Sequence, residues 1–188
     1  MHSRNLLWIS LIVICLTVIS SCGVVPKNAP ANKPFVFKYN ITVNGNFSTE
    51  EKNRLKSRLA NQLDDSIKVR AARKILYKGI NRPVLVNPPL YESANADRSV
   101  IYMKALLKSL GYFNDTITYK ASIDTVASDE LRTTVDFFVT PGKVVRIDSF
   151  AYNIKQPDLQ ALATKEPGLV KKGDPFAKSA ISAELDRL

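Results

Sequence analysis

The 188-residue sequence predicts an α+β fold built from small strand-and-helix modules, on three observations. First, two long runs, 115–125 and 131–140, alternate with period two, the mark of half-buried strands. Ile117, Tyr119, Ala121 and Ile123 share one face of the first run, and Thr133, Val135, Phe137 and Val139 one face of the second. Second, Val100, Met103, Leu107 and Leu110 precede them at helical spacing. Third, after Pro141-Gly142 the order of elements starts again at Lys143. A repeated strand-helix-helix order implies an array of modules rather than one large core.

The N-terminus sets the compartment. Arg4 supplies a positive charge, residues 6–19 are almost wholly apolar, and Ile19-Ser20-Ser21-Cys22 follows. The apolar run is short for a membrane span and ends in small residues, which fits a secretory signal over 1–21. The last four residues resemble the lipobox of bacterial lipoproteins. That resemblance implies cleavage before Cys22, diacylation of its thiol and acylation of the new amine. Gly23, rather than Asp, follows the Cys, a pattern similar to lipoproteins sent on to the outer membrane. An ordinary signal peptide or an uncleaved anchor is the alternative. Cleavage removes His2, Cys15 and Arg4, leaving a chain without His whose one Cys is acylated. Intrachain disulfides, Cys/His zinc sites, His-dependent triads and Cys nucleophiles are then excluded. The remaining 26 basic and 17 acidic residues give a charge of +9. For an exported lipoprotein this favours the phosphates of lipid or lipopolysaccharide over nucleic acid, with a solvated basic surface as the plain alternative.

Residues 22–34 contain Pro26, Pro30 and Pro34 and read as an extended tether. The run 35–43 places Phe35, Phe37, Tyr39, Ile41 and Val43 on one strand face. Asn44-Gly45 turns the chain. Ser48 and Glu51 form a capping box, and Leu55, Leu59 and Leu63 line a helix over 49–65. Residues 66–90 read as an irregular basic insertion: Lys68, Arg70, Arg73, Lys74, Lys78 and Arg82 occur with no acid between Asp65 and Glu92. It is either a patch for lipid phosphates or a solvated face. A helix over 99–110 follows, with Ser99 as N-cap, Gly111 at the left-handed C′ position and Tyr112 packing back on Leu107. The carboxylate pairs Asp64-Asp65 and Asp129-Glu130 read as solvated surface. With no nucleophile motif and no Gly-rich phosphate loop, the sequence argues against an enzyme and offers no catalytic residue, metal ligand or cofactor site.

The second round begins with a strand over 143–154, bulged near Ser149. Pro157 opens a helix over 157–164 with Leu159 and Leu162 inward. Asp174-Pro175 caps a helix over 175–188 with Ile181, Leu185 and Leu188 on one face. The sequence stops in mid-helix, and a fragment of a longer chain is expected.

The order β-α-α-β-β resembles the POTRA domain. The resemblance is carried by Leu106-Leu107-Lys108-Ser109-Leu110-Gly111-Tyr112-Phe113 and by Val139-Thr140-Pro141-Gly142-Lys143-Val144-Val145-Arg146-Ile147. Gly173-Asp174-Pro175-Phe176 and Glu184-Leu185-Asp186-Arg187-Leu188 fit a second module. The chain thus looks like the N-terminal, periplasmic part of a BamA/TamA-family outer-membrane assembly factor, of the lipidated, TamA-like lipoprotein type. The resemblance implies tandem POTRA modules, each a small mixed sheet with two helices on one face: one over 35–141 carrying the insertion 66–90, and an incomplete one over 142–188. Ordinary family members lack the lipobox, and most POTRA domains have a short link in place of the insertion. It further implies a C-terminal membrane barrel beyond this chain, an outer-membrane lipid anchor at Cys22, and unfolded outer-membrane protein clients or assembly partners. These would bind by adding a strand to a sheet edge, here Asp115, Ile117, Tyr119, Ala121 and Ile123. A Pro at Thr118 or Lys120 is then expected to block an outward edge N–H without unfolding the module. The competing expectation is a lipid-anchored binding module without a barrel, for polysaccharide, lipopolysaccharide or a surface partner.

Overall fold

A computed structural model of the protein describes residues 24–69, 72–77, 80–127 and 129–188. The signal segment and Cys22 lie outside the described residues. Among the described residues the fold is α+β. In chain order it runs β1 (Val25–Lys27), β2 (Pro34–Val43), α1 (Thr49–Ala60), β3 (Ala72–Tyr77), β4 (Ile80–Val86), α2 (Ser93–Ser109), β5 (Thr116–Ala127), β6 (Glu130–Thr140), α3 (Pro157–Lys165) and α4 (Lys178–Arg187).

The main sheet has the order β2-β6-β5, with β2 parallel and β5 antiparallel to β6. Its core face carries Ile41, Ile117, Val135, Phe137 and Val139, packed against Leu55 and Leu59 of α1 and Ala96, Met103 and Leu107 of α2. Each of these Leu, Ile, Val, Phe and Met side chains taken fully out of water stabilises the fold by about 1.5–3 kcal/mol. The capping box forms as the sequence predicts: Glu51 donates its amide to Ser48 Oγ at 3.2 Å and accepts the Ser48 amide at 2.9 Å. Gly111 also takes its predicted place, at φ 90°, in a Schellman motif. Tyr112 donates its amide to Leu107 O at 3.0 Å, and Gly111 donates to Lys108 O at 3.1 Å.

Several expectations are corrected. In β2 the register shifts between Val36 and Lys38, so the alternation changes phase. Val36 therefore joins the core face with Ile41, while Phe35 is buried elsewhere, bridged to Leu90. Phe37 leaves the core and lies under the Arg132 guanidinium, 4.4 Å from the ring centroid. Helix α1 ends at Ala60 rather than residue 65, and the turns after it still bury Leu63 and Ile67. Helix α2 begins at Ser93, so Ser99 is no N-cap. It is fully buried, donates its hydroxyl to Asn95 O at 2.8 Å and accepts the Asp64 amide at 2.9 Å.

The tether and the insertion are corrected together. Residues 25–27 are the strand β1, and the sheet β1-β4-β3 replaces an irregular segment. The second round differs more. No strand covers 143–154 among the described residues, and with no ladder there is no bulge at Ser149; only bridges at Val144 and Arg146 form. The expected extended segment finds turns rather than another strand beside it, so its pairing ends after two bridges. Helix α3 has Pro157 at its start as predicted, but Leu159 and Leu162 point outward and Ala163 is the buried residue. Helix α4 starts at Lys178, not residue 175. Asp174 instead closes a turn by accepting the Lys171 amide at 2.8 Å. Leu185 and Leu188 are exposed, and Glu184 is the buried member of that helix.

Candidate binding edge

Among the described residues, strand β5 lies at one edge of the main sheet, bonded to β6 alone. Which of its backbone groups face outward follows from one bond. Asn44 donates its amide to Val139 O at 2.8 Å on the β2 side, with Val43 paired to Val139. Successive residues of a strand turn their N–H and C=O to opposite sides. Val139, Phe137 and Val135 thus address β2, whereas Phe138, Asp136 and Thr134 address β5. The partners of that second set are Thr118, Lys120 and Ser122. Their amides are therefore committed to the ladder, and those of Ile117, Tyr119, Ala121 and Ile123 point to the open edge. The expectation that Pro at Thr118 or Lys120 spares the fold is corrected: the outward amide between them belongs to Tyr119, and the next to Ala121.

The side chains grade the edge along its length. Ile117 is buried in the core. Tyr119 stacks on Phe137 at 5.8 Å between centroids and donates its hydroxyl to Asp97 at 3.0 Å. Desolvation, and then that hydrogen bond, push its pKa up to about 12. Ala121 is half-buried, while Ile123 and Val126 are 50% and 55% exposed. The open, apolar part of the edge is thus its second half. Asp115 precedes β5, and one of its carboxylate oxygens is buried without a partner among the described residues.

Both carboxylate pairs are structural in part. Asp64 accepts the Ser66 amide at 3.0 Å and Arg98 Nε at 3.0 Å. The first bond, then the second, holds its carboxyl below the usual range. Asp129 accepts the Asn32 amide through its backbone at 2.9 Å. Glu130 pairs with Arg132.

Two arrangements have no clear sequence signal. One is a groove of about 1030 Å³ between the start of α1 and residues 142–146, with Phe47 and Tyr112 edge to face at 6.2 Å and with Arg54, Arg58, Lys143 and Arg146 around it. These cations come from two separate stretches, Arg54 and Arg58 on α1 and Lys143 and Arg146 after Gly142, so no local run announces them. The other is the buried Glu184. It accepts Tyr152 Oη at 2.5 Å, Arg187 Nη2 at 2.6 Å, the Val170 amide at 3.3 Å and the Leu169 amide. The Tyr152 bond first, then Arg187, brings its pKa down to about 2. Both oxygens are occupied, so Glu184 organises residues 150–188 rather than presenting a base. No protein-family model matches the chain, and no curated protein matches it.

Proposed function

We propose that this chain is the periplasmic, POTRA-bearing portion of a lipid-anchored outer-membrane protein assembly or translocation factor of BamA/TamA type, acting by binding and not by catalysis. The observation that carries the proposal is the free edge of β5. It follows α2 and borders the mixed sheet β2-β6-β5, with α1 and α2 packed on one face and the β3-β4 pair lying between the two helices in the chain. Exposed Ile123 and Val126 beside outward amides suit an extended client segment, whose backbone would supply the missing ladder bonds. Specificity for client sequence is low, because the backbone makes most of the contact.

The test is photocrosslinking in cells from position 120 to outer-membrane proteins in transit. Ala121→Pro removes one outward amide and should reduce the crosslinks several-fold while the far-ultraviolet circular dichroism stays unchanged. Undiminished crosslinking with an intact fold would overturn the proposal. A second function, a lipid-anchored module without a barrel that binds an anionic surface ligand, draws on the four cations of the groove. It predicts lipopolysaccharide binding that Ala121→Pro leaves untouched.

A further inference from the structure

The groove between α1 and residues 142–146 combines free charge with free backbone. Arg54 and Arg58 stand one helical turn apart on α1, and Lys143 and Arg146 line the groove from the segment after Gly142. All four are exposed, and among the described residues none of them is in an ion pair. Arg146 uses one nitrogen on Gly173 O, at 2.7 Å. Glu51, an acid in the lining, is turned to Ser48, whose amide and hydroxyl it accepts at 2.9 Å each. Four cations thus surround a groove whose carboxylate is already engaged.

The backbone of the same segment is paired on one side. Val145 donates to Gly111 O at 2.8 Å and accepts the Phe176 amide at 2.8 Å. Ile147 donates to Asp174 O at 2.9 Å and accepts the Gly173 amide at 2.7 Å. Successive residues of an extended segment turn their N–H and C=O to opposite sides. Val144 and Arg146 therefore address the other side, where their amides and carbonyls have no backbone partner among the described residues. Both line the groove, and Val145 and Ile147 do not. A phosphate group draws on donors alone. A peptide backbone draws on donors and acceptors together, at the two-residue spacing that Val144 and Arg146 offer. The Phe47 and Tyr112 rings, 6.2 Å apart between centroids, give an apolar side chain of such a peptide a surface beside the cations.

We infer that this groove is a docking site for an extended, acidic segment of a partner protein. The segment pairs its backbone with Val144 and Arg146 and sets its carboxylates among Arg54, Arg58, Lys143 and Arg146. The site is separate from the open part of β5. Thr140, in the groove lining, is paired with Thr116 at the start of β5, whereas the exposed Ile123 lies opposite Thr133. It also differs in selectivity, because the cations choose acidic segments while a bare strand edge accepts most sequences.

The test uses the full chain and a short fluorescent peptide in which Asp alternates with Val around one Phe. The expected result is saturable binding, with slowed amide exchange at Val144 and Arg146. Replacing each Asp of the peptide by Asn should weaken binding about tenfold, as should Arg54→Glu with Lys143→Glu. Lys38→Glu with Lys165→Glu, an equal change of charge outside the groove lining, should leave binding unchanged, and so should Ala121→Pro. N-methylation of one alternate set of peptide residues should abolish binding, and methylation of the other set should be tolerated. The peptide changes are read on the parent protein, so misfolding of a variant cannot imitate them. Equal binding of the Asn peptide, indifference to both methylated sets, or unchanged exchange at Val144 and Arg146 would overturn the inference. Binding of lipopolysaccharide to the groove without any binding of the peptide would overturn it too, and would assign the groove to an anionic surface ligand.

Discussion

A carboxylate only 1% exposed must have its lone pairs engaged, and Glu184 does, with Tyr152, Arg187 and the amides of Leu169 and Val170. Its pKa falls from an ordinary 4.5 to about 2 in the fold. A depressed folded value means the contribution is complete above about pH 4.5 and disappears as pH falls toward 2. Amide exchange at Leu169 and Val170, corrected for its intrinsic rate, should therefore accelerate over that window. Glu184→Gln should raise exchange at neutral pH and flatten the profile; a profile identical to the parent's would refute this role. Gly111 offers a second test. At φ 90°, with the site of a Cβ 3.0 Å from Phe176 O, Gly111→Ala should cost about 1–2 kcal/mol in chemical denaturation. The two positions differ in legibility. Gly111 follows an apolar helical run and so declares its backbone need. Ser99 also stands before such a run, yet it caps nothing: the preceding turn, 93–98, is helical although mostly polar and small.

Elements were legible where local chemistry alone decides them. The capping box of α1, the exit of α2 and the alternation of β5 and β6 are all written in neighbouring residues. The small sheet is not. β4 is a central strand that contains Pro83, a residue that ordinarily argues against such a place. The register shift between Ala72 and Lys74 opposite it absorbs the missing donor, and the third strand comes from about sixty positions upstream. The candidate edge was legible as a strand, but which amides face outward depends on β2, far away in sequence. That gives a paired prediction. Lys120→Pro removes an amide aimed at Asp136 and should destabilise the fold by about 1–3 kcal/mol, whereas Ala121→Pro should shift the unfolding midpoint far less. Equal losses in urea titrations of the two variants would show the assignment of the edge to be reversed.

At the scale of the molecule, apolar burial is unevenly divided. The core of α1, α2 and the main sheet holds Leu59, Met103, Leu107, Val135, Phe137 and Val139, all completely buried. Beyond Gly142, the buried apolar residues among those described are Ile147, Ala163 and Val170, while Leu159, Leu162, Leu169 and Leu185 are each about half exposed or more. The two regions meet through a backbone bond, Val145 donating to Gly111 O at 2.8 Å, and through an aromatic contact, with the Phe113 and Phe176 rings 6.0 Å apart between centroids. Local opening free energy follows buried apolar contact, so residues 143–188 should open before the main sheet does. Each 1.4 kcal/mol of difference is a factor of ten in exchange. Amides of α4 are thus expected to exchange at least tenfold faster than those of α2 in native-state hydrogen exchange, with limited proteolysis cutting first beyond Ile147. The Glu184 network slows that opening without replacing a core, so Glu184→Gln should widen the gap by accelerating α4 together with Leu169 and Val170 while leaving α2 unchanged. Matching protection in α2 and α4 would mean that the links at Gly111 and Phe176 make the two regions one cooperative unit.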